Sequence, residues 1–455
     1  MVIVDVDKMN KSLCTLCKES VSICASQMLN LLIWMQRPLQ PTTVSLHEIR
    51  VVAALGDSIT AAFLARNGSH LENRGVSFIS GGDPDSQSFA FHLLEYRKNY
   101  RTANNHKESN RERYKCKDDR YNEYCKHYYN NGHCKLYYNS GYCKEDNYNE
   151  YCKDDNYNED NNRNNNKECY KEHFHRKQHN RNYHHEQNAA KQHSNQLIGP
   201  SLGNHRVQIC AGAFCFYRYR SQDGLNMAQS GAVFNNLHAQ AELLIQKMYD
   251  NPSIDMLTDY KLVNIFIGSN DACQVCLGIN SIFSSPLNFE IAIRKVLETL
   301  KTRVPKLIVN LQMLFNVSQI YDLTLNNDEC LALRSSGTVF ECPCAYLGVG
   351  FRKQMDKLLQ EYNSKLLVIW TDYQLYNYPG FAVILDPGFR DVSLNEWDIS
   401  AVSKADCFHP SLRTHQLMAR SLWNNLLRPM KEKHTKFNLS EPLIIPTFGA
   451  VIPTF

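Results

Sequence analysis

The sequence contains no apolar run that approaches the roughly 18–20 residues needed to cross a lipid bilayer. It also lacks a strong charge of either sign, since 50 Lys and Arg stand against 46 Asp and Glu in 455 residues, a formal net charge of +4. Residues 97–196 hold 20 basic and 15 acidic side chains, which leaves a net charge of −1 for the rest. A nucleic-acid partner is therefore not expected, and any contact with lipid would be peripheral.

Residues 97–196 also lack Val and Ile and contain one Leu and one Phe, whereas Asn supplies 21 residues and Tyr 14. This composition cannot bury enough apolar surface to offset the entropy of ordering the backbone, and it predicts a long disordered insert. A nine-residue repeat runs through the insert, marked by Cys116, Cys125, Cys134, Cys143 and Cys152. Nine of the 17 His lie there too, but without paired CxxC knuckles the segment is interpreted as a repeat-expanded linker rather than a metal-binding tract.

Outside the insert and the N-terminal segment, eight cysteines remain. They are Cys210, Cys215, Cys273, Cys276, Cys330, Cys342, Cys344 and Cys407. Together with NxS sequons at Asn67, Asn316 and Asn438 they favour disulfides and glycosylation in an oxidising secretory compartment, the alternative being free thiols in a cytosolic enzyme. We expect local bridges, with Cys273 and Cys276 close enough in sequence for a tight loop and with Cys330, Cys342 and Cys344 as a second cluster, although spacing leaves the connectivity open.

Short apolar runs alternate with amphipathic helical patterns in the rest of the chain. Runs at 51–55, 262–267, 307–311 and 381–385 are typical of buried parallel strands, and patterns at 234–249, 352–373 and 412–427 are typical of helices. This order predicts a doubly wound, mostly parallel sheet whose ligand crevice lies beyond the carboxyl ends of the strands.

The first strand leads directly into Gly56-Asp57-Ser58, followed by a helix-compatible segment. At a strand-to-helix turn the Ser58 hydroxyl would face the crevice, and its backbone N–H would face any negative charge that forms at a substrate carbonyl. The alternative is that Asp57 or Ser58 only caps the following helix.

Other candidates follow later segments. Asn270, in Gly268-Ser-Asn-Asp271, can offer an amide donor, or it can be an ordinary turn residue. The Gly231 N–H precedes another helix and is a further possible donor. Asp406 stands three residues before His409, so its carboxylate can fix the imidazole tautomer, although such a DxxH pair also arises by chance.

The joint order of these blocks resembles the GDSL/SGNH hydrolase family. The runs VVAALGDSIT, ENRGVSFISGGD, GSNDACQVC, ECPC and DCFHPSLRTHQLMARSLWNNLL are similar to its phospholipase B branch. The resemblance covers 42–96 and 197–436, and implies a doubly wound α/β/α three-layer sandwich interrupted by the insert 97–196. The N-terminal segment 1–41 and the tail 437–455 fall outside it. The family has only a short connection where the insert stands, so the insert is a departure from the family that bears on access to the crevice.

Carried over to this sequence, the resemblance implies Ser58 as nucleophile, His409 as general base and Asp406 as its orienting carboxylate. The Ser58 and Gly231 N–H groups and the Asn270 amide would form the oxyanion hole, and neither a cofactor nor a metal is needed.

The resemblance implies calcium-independent hydrolysis of acyl esters in phospholipids and lysophospholipids. The alternatives are a deacetylase for short-chain or carbohydrate esters, and a catalytically silent lipid-binding or interaction protein. We expect a secreted or extracellular membrane-associated protein, although residues 28–35 do not form a clear signal peptide.

Overall fold

The computed structural model describes residues 43–66, 71–100, 102, 197–203, 205–206, 221–278, 284–336, 341–376 and 378–454. The predicted N-terminal segment 1–41 lies outside the described residues, as does the predicted insert except for 97–100 and 102. The chain divides into two compact units, Met1–Phe91 with Ile198–Phe455, and His92–Leu197. A helical stretch covers 89–100.

The centre of the fold is a parallel four-stranded sheet. It contains β2 (Ile49–Gly56), β5 (Tyr260–Phe266), β6 (Leu307–Gln312) and β7 (Phe381–Asp386) in that spatial order. These strands carry apolar residues on both faces and are almost wholly buried, as expected for a parallel sheet covered on both sides. All four predicted strands are confirmed.

Two short antiparallel pairs accompany the main sheet. In one, β1 (Thr43–Ser45) pairs with β8 (Val451–Pro453), and in the other, β3 (Leu71–Glu72) pairs with β4 (His205–Arg206). The β1–β8 pair places part of the predicted tail 437–455 beside the segment that leads into β2.

Eight α-helices are assigned in the described part of the first unit after residue 221. They are α1 (Leu237–Asp250), α2 (Ser269–Cys273), α3 (Pro286–Arg303), α4 (Gln319–Thr324), α5 (Asp328–Ser335), α6 (Pro343–Tyr346), α7 (Val349–Leu375) and α8 (Leu412–Leu426). Short 3-10 helices lie at Leu46–Glu48, Arg74–Val76, Ser221–Asp223, Phe234–Asn236, Leu394–Glu396, Ile399–Ala401 and Met430–Glu432. Helices α1, α7 and α8 confirm the three predicted helical patterns. Among the described residues, no helix is long and apolar enough to span a membrane.

Helix α3 packs against both α1 and α7, around a cluster of aromatic rings. The ring of Phe289 in α3 stacks on Tyr362 in α7 with centroids 4.1 Å apart, and both rings meet Phe234 edge to face. Helix α8 contacts β7 and presents Trp423 to Phe89, with centroids 5.5 Å apart. The result is the predicted three-layer α/β/α arrangement, in which aromatic burial contributes much of the core.

Three disulfides lie close to the carboxyl edge of the sheet. Cys273 pairs with Cys342, Cys276 with Cys344, and Cys330 with Cys407. The expected local bridge between Cys273 and Cys276 is therefore wrong. The fold brings the ECPC segment alongside helix α2, and each of these two cysteines pairs with a cysteine of that segment. Cys210 and Cys215 lie outside the described residues.

Candidate functional site

Ser58 lies two residues beyond the last residue of β2, at the carboxyl edge of the sheet. The segment after it forms turns rather than the expected helix. The Ala61 N–H donates to the Asp57 carbonyl, but Ala62 and Leu64 have positive φ angles of 53° and 54°, which end the helical path. The Ser58 N–H thus belongs to a tight turn instead of a helix N-terminus.

The structure joins Ser58, His409 and Asp406 into one chain of hydrogen bonds. The His409 Nε2 lies 2.7 Å from the Ser58 Oγ, and the His409 Nδ1 lies 2.5 Å from the Asp406 Oδ2. All three side chains are buried, with exposed fractions of 2–6%. A carboxylate bonded to Nδ1 holds the proton on that nitrogen, so Nε2 is free to accept the serine proton.

The loop that carries Asp406 and His409 is tied down on several sides. The Asp406 Oδ1 accepts the backbone N–H groups of Phe408 (3.0 Å) and His409 (3.2 Å). The ring of Phe63 meets the imidazole edge to face at a centroid distance of 4.9 Å. Cys407, between the two site residues, has a φ of 56° and is bridged to Cys330 in helix α5. The imidazole is therefore held by packing as well as by hydrogen bonds.

The segment that contains Gly231 runs along the free edge of β2. The N–H of Met227 donates to the Ala54 carbonyl and that of Gln229 to the Gly56 carbonyl, which carries the chain toward the end of the strand. Gly231 is exposed and has a φ of 77°, a conformation that favours glycine. The Asn270 Nδ2 donates to the Ala232 carbonyl at 2.9 Å, so the structure brings Gly231 and Asn270 together at this edge.

A buried ion pair supports the same segment. Glu72 accepts hydrogen bonds from the N–H and the hydroxyl of Ser230 at 3.0 and 2.8 Å and pairs with Arg74, whose Nη1 donates to the Asn226 carbonyl at 2.7 Å. Glu72 and Arg74 could not be predicted as supporting residues, because the spacing in the ENRG run does not indicate an ion pair.

Two buried carboxyls lie next to the site residues. Burial raises the pKa of Asp57 to about 7 and that of Asp271 to about 8, and the proximity of Asp57 raises the pKa of Asp271 further. The Asp57 Oδ1 accepts the Ile59 N–H at 3.0 Å, whereas its Oδ2 has no hydrogen-bond partner among the described residues. Asp271 accepts the Phe234 N–H at 3.2 Å.

The two histidines of this region differ in basicity. Burial acts to lower the pKa of His409, but the Asp406 carboxylate outweighs it and the net pKa lies above the ordinary value. His415 in helix α8 is also fully buried, and burial, followed by the charge of His409, lowers its pKa to about 3. His415 is therefore neutral at physiological pH, while His409 is poised to take up a proton.

An apolar pocket adjoins the histidine loop. It has about 440 Å³ of empty space, part of it open to solvent, and includes Phe408 and Pro410, the two neighbours of His409. The other lining residues are Phe315, Ile320, Leu323, Phe389, Val392, Leu394, Trp397, Ala401, Val402, Thr414, Met418 and Phe437. The mostly apolar lining suits a hydrocarbon group.

One group of three potential ligands for a metal ion occurs in the described part of the chain, formed by Glu341, Asp406 and His409. Both nitrogens of His409 are already engaged, one with Asp406 and the other with Ser58. We therefore interpret this group as part of the hydrogen-bonded chain rather than as a metal centre.

A parallel α/β sheet with a hydrogen-bonded Ser–His–Asp chain at its carboxyl edge is similar to the arrangement of serine ester hydrolases. A model of the GDSL-like lipase/acylhydrolase family matches residues 153–422, more than half of the sequence, and the chain belongs to that family. The matched residues include Asn270, Asp406 and His409, whereas Gly56-Asp57-Ser58 precedes them.

The chain is also similar to proteins named "Phospholipase B1, membrane-associated". It is 30% identical to the Mus musculus protein over 236 residues and 26% identical to the Homo sapiens protein over 230 residues. These matches cover 50% and 49% of this chain but only 16% of each relative.

Proposed function

We propose that this chain is a serine esterase that hydrolyses acyl esters of glycerophospholipids and lysophospholipids. The observation that carries the proposal is the continuous chain from the Ser58 Oγ through His409 to Asp406, with contacts of 2.7 and 2.5 Å. The similarity to proteins named "Phospholipase B1, membrane-associated" supports phospholipids and lysophospholipids as the substrates.

In the proposed reaction, His409 Nε2 takes the proton of Ser58 as its Oγ attacks the ester carbonyl. The tetrahedral intermediate collapses, and the protonated imidazole gives the proton to the leaving alcohol. Water, deprotonated by His409, then attacks the acyl-enzyme, releases the fatty acid and restores the serine. No metal takes part in these steps, so the reaction is expected to be independent of calcium.

The oxyanion of each tetrahedral intermediate would be held by the N–H groups of Ser58 and Gly231 and by the Asn270 amide. One amide hydrogen of Asn270 is used by the Ala232 carbonyl, which fixes the amide plane and leaves the second hydrogen for substrate. Donors fixed in this way stabilise the transition state without reorganising during the reaction.

The substrate proposal uses the apolar pocket beside His409. Its lining, which is apolar except for Thr414, suits a fatty acyl chain better than a sugar. We propose a secreted or extracellular membrane-associated protein that meets lipid at its surface. The three disulfides support an oxidising compartment.

The test is an assay of the full chain in EDTA on a long-chain lysophospholipid and on a short-chain aryl ester. Ser58→Ala is the blank, and Ser335→Ala, an exposed serine on α5, is the matched control. We expect preferred release of long-chain fatty acid that Ser58→Ala abolishes and Ser335→Ala retains.

The other outcomes separate the alternative functions. A Ser58-dependent preference for the short ester would indicate a deacetylase. Absence of release from the folded chain would favour a binding protein and contradict the proposal.

A further inference from the structure

Glu341 was not predicted as a site residue, yet the structure places it beside the histidine–aspartate pair. It is the exposed first residue of the ECPC segment. The two cysteines that follow are bridged to Cys273 and Cys276, at the end of the short helix that carries Asn270. The backbone next to Glu341 is thus linked covalently to the segment that carries Asn270. This linkage limits how far the Glu341 carboxylate can move.

One carboxylate oxygen of Glu341, one of Asp406 and one ring nitrogen of His409 all lie within 4.8 Å of one another. Among the described residues, no lysine or arginine forms a salt bridge with Glu341. Its carboxylate therefore lies near the imidazole without a salt-bridge partner of its own among the described residues.

The other charged and titratable groups around the imidazole come from separate elements. Asp406 lies on its own loop, Asp57 follows β2 and raises the pKa of His409 more weakly, and His415 in α8 is buried and neutral. The guanidinium of Arg334 lies 5.0 Å from the ring of Tyr346, whose pKa is in turn affected by Asp406 and Glu341. Asp406 and Glu341 are thus the two carboxylates that act most directly on His409.

We propose that Glu341 is a positioning residue for the reaction, a second carboxylate that stabilises the protonated form of His409. This inference rests on the proposed function. Glu341 raises the basicity of His409 in the free enzyme and stabilises the imidazolium that forms as Ser58 attacks. Because Glu341 is exposed and screened by water, its effect is smaller than that of Asp406, about half a pH unit for a charge near 5 Å in a medium close to water.

The experiment measures kcat/KM of the full chain against pH on an uncharged aryl ester, for wild type, Glu341→Gln and Glu341→Asp. Glu432→Gln, an exposed glutamate on the Met430–Glu432 turn, is the matched control. For Glu341→Gln we expect the acid limb of the profile to move down by about half a pH unit and the plateau to fall about threefold. Glu341→Asp should recover most of both effects, and Glu432→Gln should match wild type. High salt should reduce the difference between wild type and Glu341→Gln.

A second arm uses Asp406→Asn. Because Glu341 can partly hold the imidazolium when Asp406 has lost its charge, Asp406→Asn should cost more activity in the Glu341→Gln background than in wild type. An unchanged acid limb in Glu341→Gln would overturn the proposal. So would a change confined to KM for a phosphocholine ester, which would assign Glu341 to binding a cationic headgroup instead.

These outcomes are distinguishable from failure of the proposed function. That failure appears as activity in Ser58→Ala or as no activity in the wild type. The thermal midpoint of each variant, compared with wild type, separates an effect on the site from unfolding.

Discussion

The buried carboxyl of Asp57 links the site to the stability of the fold. Its pKa is raised to about 7, so the native state keeps a proton that the unfolded chain, with a pKa of 3.8, loses at much lower pH. The stabilisation that the native state gains by keeping this proton is therefore complete below about pH 4. It is lost as the pH rises through 7, so the free energy of unfolding falls over this range. The gap of roughly three pH units corresponds to about 4 kcal/mol.

We expect Asp57→Asn to remove this pH dependence, because an amide does not ionise. The stability of the variant relative to wild type should therefore rise between pH 4 and pH 8. Urea unfolding at several pH values measures it, and a stability difference that stays constant with pH would contradict the assignment. Asp398→Asn is the control, since the pKa of this exposed carboxyl is lowered to about 2 by its hydrogen bonds to Ser400 and Arg413, and its small effect has the opposite sign.

The Asn270 amide gives a second prediction at the residue scale. Loss of one oxyanion donor typically costs about 3–4 kcal/mol of transition-state stabilisation, so Asn270→Ala should lower kcat on the order of a hundredfold or more. KM should change much less, because the donor acts mainly on the charge that develops during the reaction. Steady-state kinetics measures both, with the exposed Asn395→Ala as control. A rate for Asn270→Ala within about twofold of wild type would remove Asn270 from this role.

Among the elements, the disulfide from helix α5 to the histidine loop has the most direct bearing on the site. It spans 77 residues of sequence and ends at Cys407, between Asp406 and His409. Restricting the unfolded chain over a loop of this length stabilises the native state by roughly 4 kcal/mol in the chain-entropy model.

We expect the double variant Cys330→Ala, Cys407→Ala to unfold at lower denaturant concentration and also to lose turnover below its unfolding transition. The second loss follows because the bridge fixes the loop that orients the imidazole. The double variant Cys276→Ala, Cys344→Ala, which opens a bridge of similar span outside that loop, is the control. Equal turnover losses in the two variants would show that the Cys330–Cys407 bridge stabilises the fold without a special effect on the site.

The elements also show where sequence patterns suffice and where they do not. Four strands and three helices could be predicted because their apolar spacing reflects local geometry. Ser58 and Asn270 could be singled out because they closely follow strands, and His409 because it stands three residues after Asp406 and just before helix α8. The helix expected after Ser58 fails because Phe63 bridges to Glu72 in β3, and this tertiary contact holds the left-handed residues on either side. Disulfide pairing and the place of Glu341 depend on how distant segments pack, which spacing alone does not encode.

At the scale of the whole molecule, the last described residues are part of the same body as the site. Ile452 in β8 is fully buried, and the Trp423 Nε1 of helix α8 donates to the Ile444 carbonyl at 2.9 Å. Phe437 packs edge to face on Phe389, with centroids 4.9 Å apart, and both rings line the apolar pocket. The chain beyond α8 therefore closes the core and supplies part of the pocket wall.

This arrangement predicts a large difference between two isoleucines of that segment. Ile452→Ala should lower the free energy of unfolding by about 2–5 kcal/mol, because it opens a cavity where β8 packs beside β1. Ile445→Ala should leave it nearly unchanged, because Ile445 is 87% exposed. Urea unfolding of both variants measures the difference, provided that the free energy of unfolding depends on urea concentration with the same slope in each. If both variants matched wild type, the β1–β8 pair would be dispensable for the core. If only Ile452→Ala were destabilised while its kcat/KM in the absence of urea stayed normal, β8 would contribute to stability and not to activity. Phe437 would then be the residue through which the chain beyond α8 contributes to the pocket.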